Sequence, residues 1–136
     1  SGARPEFLGR LRGQLADCWS EDLERIVLTM VYEDEKGQIH DILQPANQAQ
    51  VIRTMWDYPP SVILPRVSCP TLIVPAGPTP DRAGTEFARL RREMVEAAAR
   101  AIKGCRVHWI PETIHDIGYH KPSELAGVIR EFLAGA

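Results

Sequence analysis

Two short apolar runs held apart by a long amphipathic segment constrain this chain more than any other feature. The first is Pro70-Thr-Leu-Ile-Val-Pro-Ala-Gly77 and the second Cys105-Arg-Val-His-Trp-Ile-Pro111. Strands are expected over 71–74 and 106–110, the first apolar on successive residues as in a strand covered on both faces. Between them, Thr85 to Ile102 places Phe87, Leu90, Met94, Ala98 and Ile102 on one helical stripe, with Arg89, Arg92, Glu93 and Glu96 elsewhere and Gly104 as the stop. A strand, a helix of this length and a second strand read as a parallel crossover, because antiparallel neighbours need only a hairpin. Parallel sheets carry their functional loops at the carboxyl ends of the strands. Asp81 follows the first strand and His115 the second, so one unit brings an acid and an imidazole to the same edge.

Composition excludes several classes of partner. The 136 residues carry a formal net charge of -2 with both signs interspersed, which favours neither a phosphate backbone nor an anionic bilayer surface, so nucleic acid and membrane are not expected partners. No apolar run approaches the roughly 20 residues that cross a bilayer, and the first residues lack the basic and apolar regions of a signal peptide. Cys18, Cys69 and Cys105 are odd in number, widely spaced and set among apolar neighbours. They read as reduced thiols and small core residues of a cytoplasmic protein, since neither a disulfide framework nor a CxxC knuckle is present.

The first half of the chain reads as a small helical layer. Leu8, Leu11, Leu15 and Trp19 recur at helical spacing, and Ser20 has the chemistry of an N-cap for a helix carrying Leu23, Ile26, Val27 and Met30. The end of that helix is open, because Ile26 to Tyr32 is also rich in β-formers. Asp34-Glu-Lys-Gly37 has loop chemistry, with Gly37 free to take positive φ. A further helix over 46–56 presents Val51, Ile52, Met55 and Trp56 on one side, and Asp57-Tyr-Pro-Pro60 ends it. The last helix opens at Pro122 and Ser123 and directs Leu125, Val128, Ile129, Phe132 and Leu133 inward.

His115 is the strongest candidate for chemistry, because a general base needs an accessible loop position and a pKa near the working pH. Asp81 is the candidate to orient that imidazole, and in the plain alternative it is a turn aspartate; Glu86 is a distant substitute. His40, His108 and His120 read as structural or exposed. None of Ser20, Ser61, Ser68 or Ser123 sits between glycines on a strand-to-helix elbow, so no nucleophile is assigned. His115 and His120, five apart on a loop, lack the i, i+4 spacing of a helical zinc motif. No metal and no cofactor is proposed.

Val67-Ser-Cys-Pro-Thr-Leu-Ile-Val74, the Gly77-to-Asp81 turn, the alanine-rich helix, the strand before His115, and the closing Pro122-Ser-Glu-Leu-Ala and Ile129-Arg-Glu-Phe-Leu133 together resemble the C-terminal part of an α/β-hydrolase. The resemblance covers the second half of the chain and implies an α/β fold of parallel strands with flanking helices. It implies a helical lid over 1–64 and a core segment over 65–136. It also implies a Ser, then acid, then His triad hydrolysing small ester-like substrates, with Asp81 as the acid and His115 as the base. The family's G-x-S-x-G elbow is absent from these residues. The nucleophile and most of the oxyanion hole are therefore expected from an N-terminal half outside them, leaving this chain inactive alone. Gly77 and Asp81 are separated by one residue more than the family's Gly-x-x-Asp. The helices of the first half fit equally a layer packed on a sheet with no gating role. A non-catalytic binding or assembly module derived from the fold is the alternative. The open edge of a two-stranded parallel fragment points to a homo-oligomer or to pairing with the missing half.

Overall fold

A computed structural model describes residues 2–135, and the chain falls into two units, one ending at Asp57 and the other beginning at Tyr58. It is a mixture of helices and short strands, with two separate two-stranded sheets.

In the first unit, Pro5 lies in the opening turn of helix α1 (Arg4–Gln14), where its missing N–H costs nothing. A single 3-10 turn at Ala16–Cys18 follows. Helix α2 (Glu21–Leu28) begins where the sequence placed it, because Ser20 Oγ accepts the Leu23 N–H at 3.1 Å and Glu21, Asp22 and Glu24 face the positive end of the helix. It ends sooner than a continuous helical layer requires. Val31–Glu33 (β1) and Ile39–Asp41 (β2) form an antiparallel hairpin with Tyr32 opposite His40, which corrects the all-helical reading of 1–64. The physical reason lies in the turn. Asp34 Oδ1 accepts the N–H groups of both Lys36 and Gln38 at 2.9 Å, and Gly37 takes φ 74. Phe7, Leu23, Val27 and Ile39 are buried. Helix α3 (Pro45–Asp57) follows and contains no buried residue.

The second unit opens with the short helix α4 (Pro60–Ile63) and a 3-10 turn at Leu64–Arg66. Strands β3 (Leu72–Ile73) and β4 (Arg106–Val107) pair in parallel, with Leu72 opposite Arg106 and Ile73 opposite Val107. The expected crossover is therefore present. It runs through helix α5 (Glu86–Ala101), whose Thr85 Oγ1 accepts the Ala88 N–H at 3.2 Å. Beyond the short ladder the chains stay together, with Ile110 N–H donating to Pro75 O at 3.1 Å and a parallel bridge between Ala76 and Ile110. Helices α6 (Ile117–His120) and α7 (Pro122–Ala134) close the unit. Ile110 is fully buried and centres a small core with Ala76 and Ile117, against which Val74 and Leu125 pack.

Four expected packing assignments are corrected here. The stripe of Phe87, Leu90 and Met94 on α5 is exposed, while Ala88 and Ile102 are buried. Val95, Ala98 and Ala99 are half-buried, so α5 turns its smaller side chains inward. The first strand, expected to be covered on both faces, has Leu72 and Ile73 only half-buried, and both residues of β4 are exposed. On α7, Ile129 and Leu133 are exposed, and Phe132 instead lies under the Arg106 guanidinium at 5.0 Å. Among the cysteines, Cys69 is exposed rather than a core residue, and all three thiols are free.

Candidate functional site

The edge carrying Asp81 and His115 is built from backbone hydrogen bonds at the carboxyl end of the parallel pair. Gly77 N–H donates to Ile110 O at 2.7 Å, and Thr113 N–H donates back to Gly77 O at 3.2 Å. A Cβ at Gly77 would lie 3.0 Å from both Ile110 O and Pro111 Cα, which explains why glycine stands at this crossing. From Gly77 the chain passes through Pro78, Thr79 and Pro80 into a turn closed by Arg82 N–H on Thr79 O at 2.9 Å. Asp81 sits in that turn, exposed.

His115 lies on the loop between Pro111 and α6, also exposed, and its carbonyl accepts the Ile117 N–H at 3.1 Å. The loop turns at Glu112, which takes φ 48, and is fastened from α6 and the start of α7. The buried Thr113 places its Oγ1 2.9 Å from His120 Nδ1, and Lys121 Nζ donates to Pro111 O at 2.7 Å. His120 thus has the structural part expected of it, and Thr113 and Lys121 emerge as supports that no motif advertised. No hydrogen bond or ion pair joins Asp81 to His115, and among the described residues neither side chain has such a partner. Both follow the carboxyl ends of one parallel pair, yet they are not assembled as a dyad.

The acid–imidazole pair that is assembled lies elsewhere, on the hairpin. Asp34 Oδ2 is 2.8 Å from His40 Nε2, and Tyr32 stacks on the imidazole with ring centroids 5.3 Å apart. The Gln38 N–H chiefly, then His40 and the Lys36 N–H, hold the Asp34 carboxyl below its ordinary range. Both oxygens of Asp34 are spent on the turn, so its chemistry is that of a hairpin lock. The cross-strand pairing that joins the two is not legible in the sequence, which leaves the end of the helix before Val31 open. A hollow of about 280 Å³ beside His40 is lined by Phe7, Arg10, Ile39, Asp41, Gln44 and Pro45.

Among the described residues no three His, Cys, Asp or Glu side chains gather as a metal site, and no helix is long and apolar enough to cross a membrane. Burial chiefly, with Asp17 beside it, pushes the Cys18 thiol up, away from the reactive thiolate. No family model, no curated protein and no solved structure matches the chain.

Proposed function

We propose that this chain is the C-terminal part of an α/β-hydrolase, with residues 1–64 as the lid and 65–136 as the core segment. It would contribute His115 as general base and Asp81 as the carboxylate that orients it. The observation that carries this reading is that both residues follow the carboxyl ends of the two strands of one parallel crossover, where such folds gather their chemistry. Its substrates are small esters or related carbonyl compounds. The serine comes from a G-x-S-x-G segment outside these residues, which pairs along the open edge of the β3–β4 sheet or arrives in an oligomer, in the cytoplasm.

In that assembly the His115 imidazole takes the serine proton as the hydroxyl attacks the ester carbonyl, and then returns it to the leaving alcohol. The Asp81 carboxylate stabilises the imidazolium formed between those steps. Assembly must also bring Asp81 and His115 into hydrogen-bond reach, because they are unpartnered here. That last observation favours a second reading, a non-catalytic binding or assembly module built on the same strands.

Activated-ester hydrolysis by the purified chain is the first test. The proposal expects the rate of buffer alone, because a base without a nucleophile has nothing to activate. Robust turnover lost in His115→Ala would reveal a nucleophile within these residues and overturn the divided-site reading.

A further inference from the structure

The hollow of about 280 Å³ in the first unit is lined from α1, β2 and the start of α3, and it has no part in the proposed ester chemistry. Its walls are tied together by backbone. Ile39 N–H donates to Gly2 O at 3.0 Å and an antiparallel bridge joins Ala3 to Gln38, so the chain entering α1 is fastened to the strand opposite. Each of these two walls supplies one buried apolar residue and one charge. Phe7 and Arg10 stand three apart on one face of α1, and Ile39 and Asp41 stand two apart on one face of β2. Phe7 and Ile39 are buried, whereas Arg10 and Asp41 are exposed at the hollow.

The two charges are not neutralised. Arg10 keeps its guanidinium over the Phe7 ring at 5.8 Å, and among the described residues neither it nor Asp41 has an ion-pair partner. Other arginines of the same unit do pair, Arg12 with Glu24, Arg25 with Asp22 and Arg53 with Asp57. Arg10 and Asp41 line one cavity and leave it with a cation on one wall and an anion on the other.

We infer that this hollow binds a small zwitterion of the α-amino acid class, with its carboxylate on Arg10, its ammonium on Asp41 and its apolar body against Phe7, Ile39 and Pro45. Charge complementarity selects the class. A lone carboxylate on Arg10 would lie beside the unpaired Asp41, and a lone amine on Asp41 would lie beside Arg10, whereas a zwitterion satisfies both. The guanidinium fork can also donate two N–H groups to one carboxylate. Size agrees. At roughly 30 Å³ for each water-sized group, 280 Å³ receives about nine non-hydrogen atoms, which matches leucine. His40 borders the hollow as wall, because Asp34 engages its Nε2 and Tyr32 stacks on its ring. Gln44 Nε2 donates to Asp41 O at 3.1 Å and fixes the backbone that carries the anion. The site uses neither Asp81 nor His115 and is independent of the hydrolase reading.

Amide NMR titration of the full, isotope-labelled chain tests it with L-leucine, with isocaproate, which lacks the ammonium, and with isopentylamine, which lacks the carboxylate. L-Leucine is expected to bind with a dissociation constant of about 1 mM or tighter, reasonable for a ligand of this size, and to move the amides of Arg10, Ile39 and Gln44. Each single-charge probe should bind at least about threefold more weakly, within the range of one exposed charge pair. Arg10→Met should weaken L-leucine by the same factor and leave isopentylamine unchanged, and Asp41→Ala should weaken it and leave isocaproate unchanged. Both residues are exposed, and the dispersion of each variant's spectrum shows that it is folded. L-Leucine that fails to saturate by about 10 mM overturns the inference. So does a smaller preference over the single-charge probes, or either variant binding L-leucine as the parent does.

Discussion

Replacing Gly77 with alanine tests the crossing on which the candidate site is built. Two effects oppose each other. Gly77 is not in the left-handed region, so alanine fits its dihedrals and removes unfolded-state freedom, a gain of about 0.4–1 kcal/mol. Against this, the new Cβ would stand 3.0 Å from Ile110 O and 3.0 Å from Pro111 Cα. Both are backbone atoms of the paired chain and cannot rotate aside, and overpacking of this kind costs about 1–3 kcal/mol. The clash wins by about 1–2 kcal/mol, or about 4–16 °C in Tm for a unit of this size. The strands must part where Gly77 N–H meets Ile110 O and Thr113 N–H meets Gly77 O. Urea unfolding gives the energy, and hydrogen exchange at Gly77 and Thr113 gives the location. A variant within about 0.5 kcal/mol of the parent, with both amides still protected, would refute the close approach.

Ile110→Ala should cost about 3–4 kcal/mol and Ile110→Val about 1 kcal/mol in urea unfolding, because the side chain is fully buried among Ala76 and Ile117; an alanine loss below about 1 kcal/mol would contradict that core. At the hairpin, Asp34 has its folded pKa below its unfolded value. Its contribution is therefore present above about pH 4 and lost as acid drives the pH down through the folded pKa. Exchange protection of the Lys36 and Gln38 amides should fall over that acid range in the parent. In Asp34→Ala, which removes the acceptor, it should be low already at neutral pH, and identical profiles in the two proteins would contradict the lock.

The crossover was legible because its signals agree at several levels. Pro70 to Gly77 and Cys105 to Pro111 are apolar, Thr85 has cap chemistry, and Gly104 takes φ 71 where the helix ends. The inward face of α5 was not legible. Its large and small apolar residues make two overlapping stripes, and hydrophobicity alone favours Phe87 and Met94 over Ala88 and Ala99, although small side chains permit closer packing. The hairpin was missed because β1 has only three residues and continues the apolar run of α2, so period gave no boundary between them. For the site, sequence order fixed the edge on which Asp81 and His115 lie. The distance between them depends on the turns at Pro78 to Pro80 and at Glu112, and no spacing rule encodes those.

The proposed hydrolase role is tested most directly by steady-state ester hydrolysis with a G-x-S-x-G segment encoded beside this chain, expressed together with it. The account predicts turnover by the pair. His115→Ala should lower kcat by several powers of ten with KM little changed, because attack and leaving-group departure both need its proton transfer. Absence of any such segment, a pair that stays at the buffer rate, or a crippling His120→Ala beside a mild His115→Ala would contradict it.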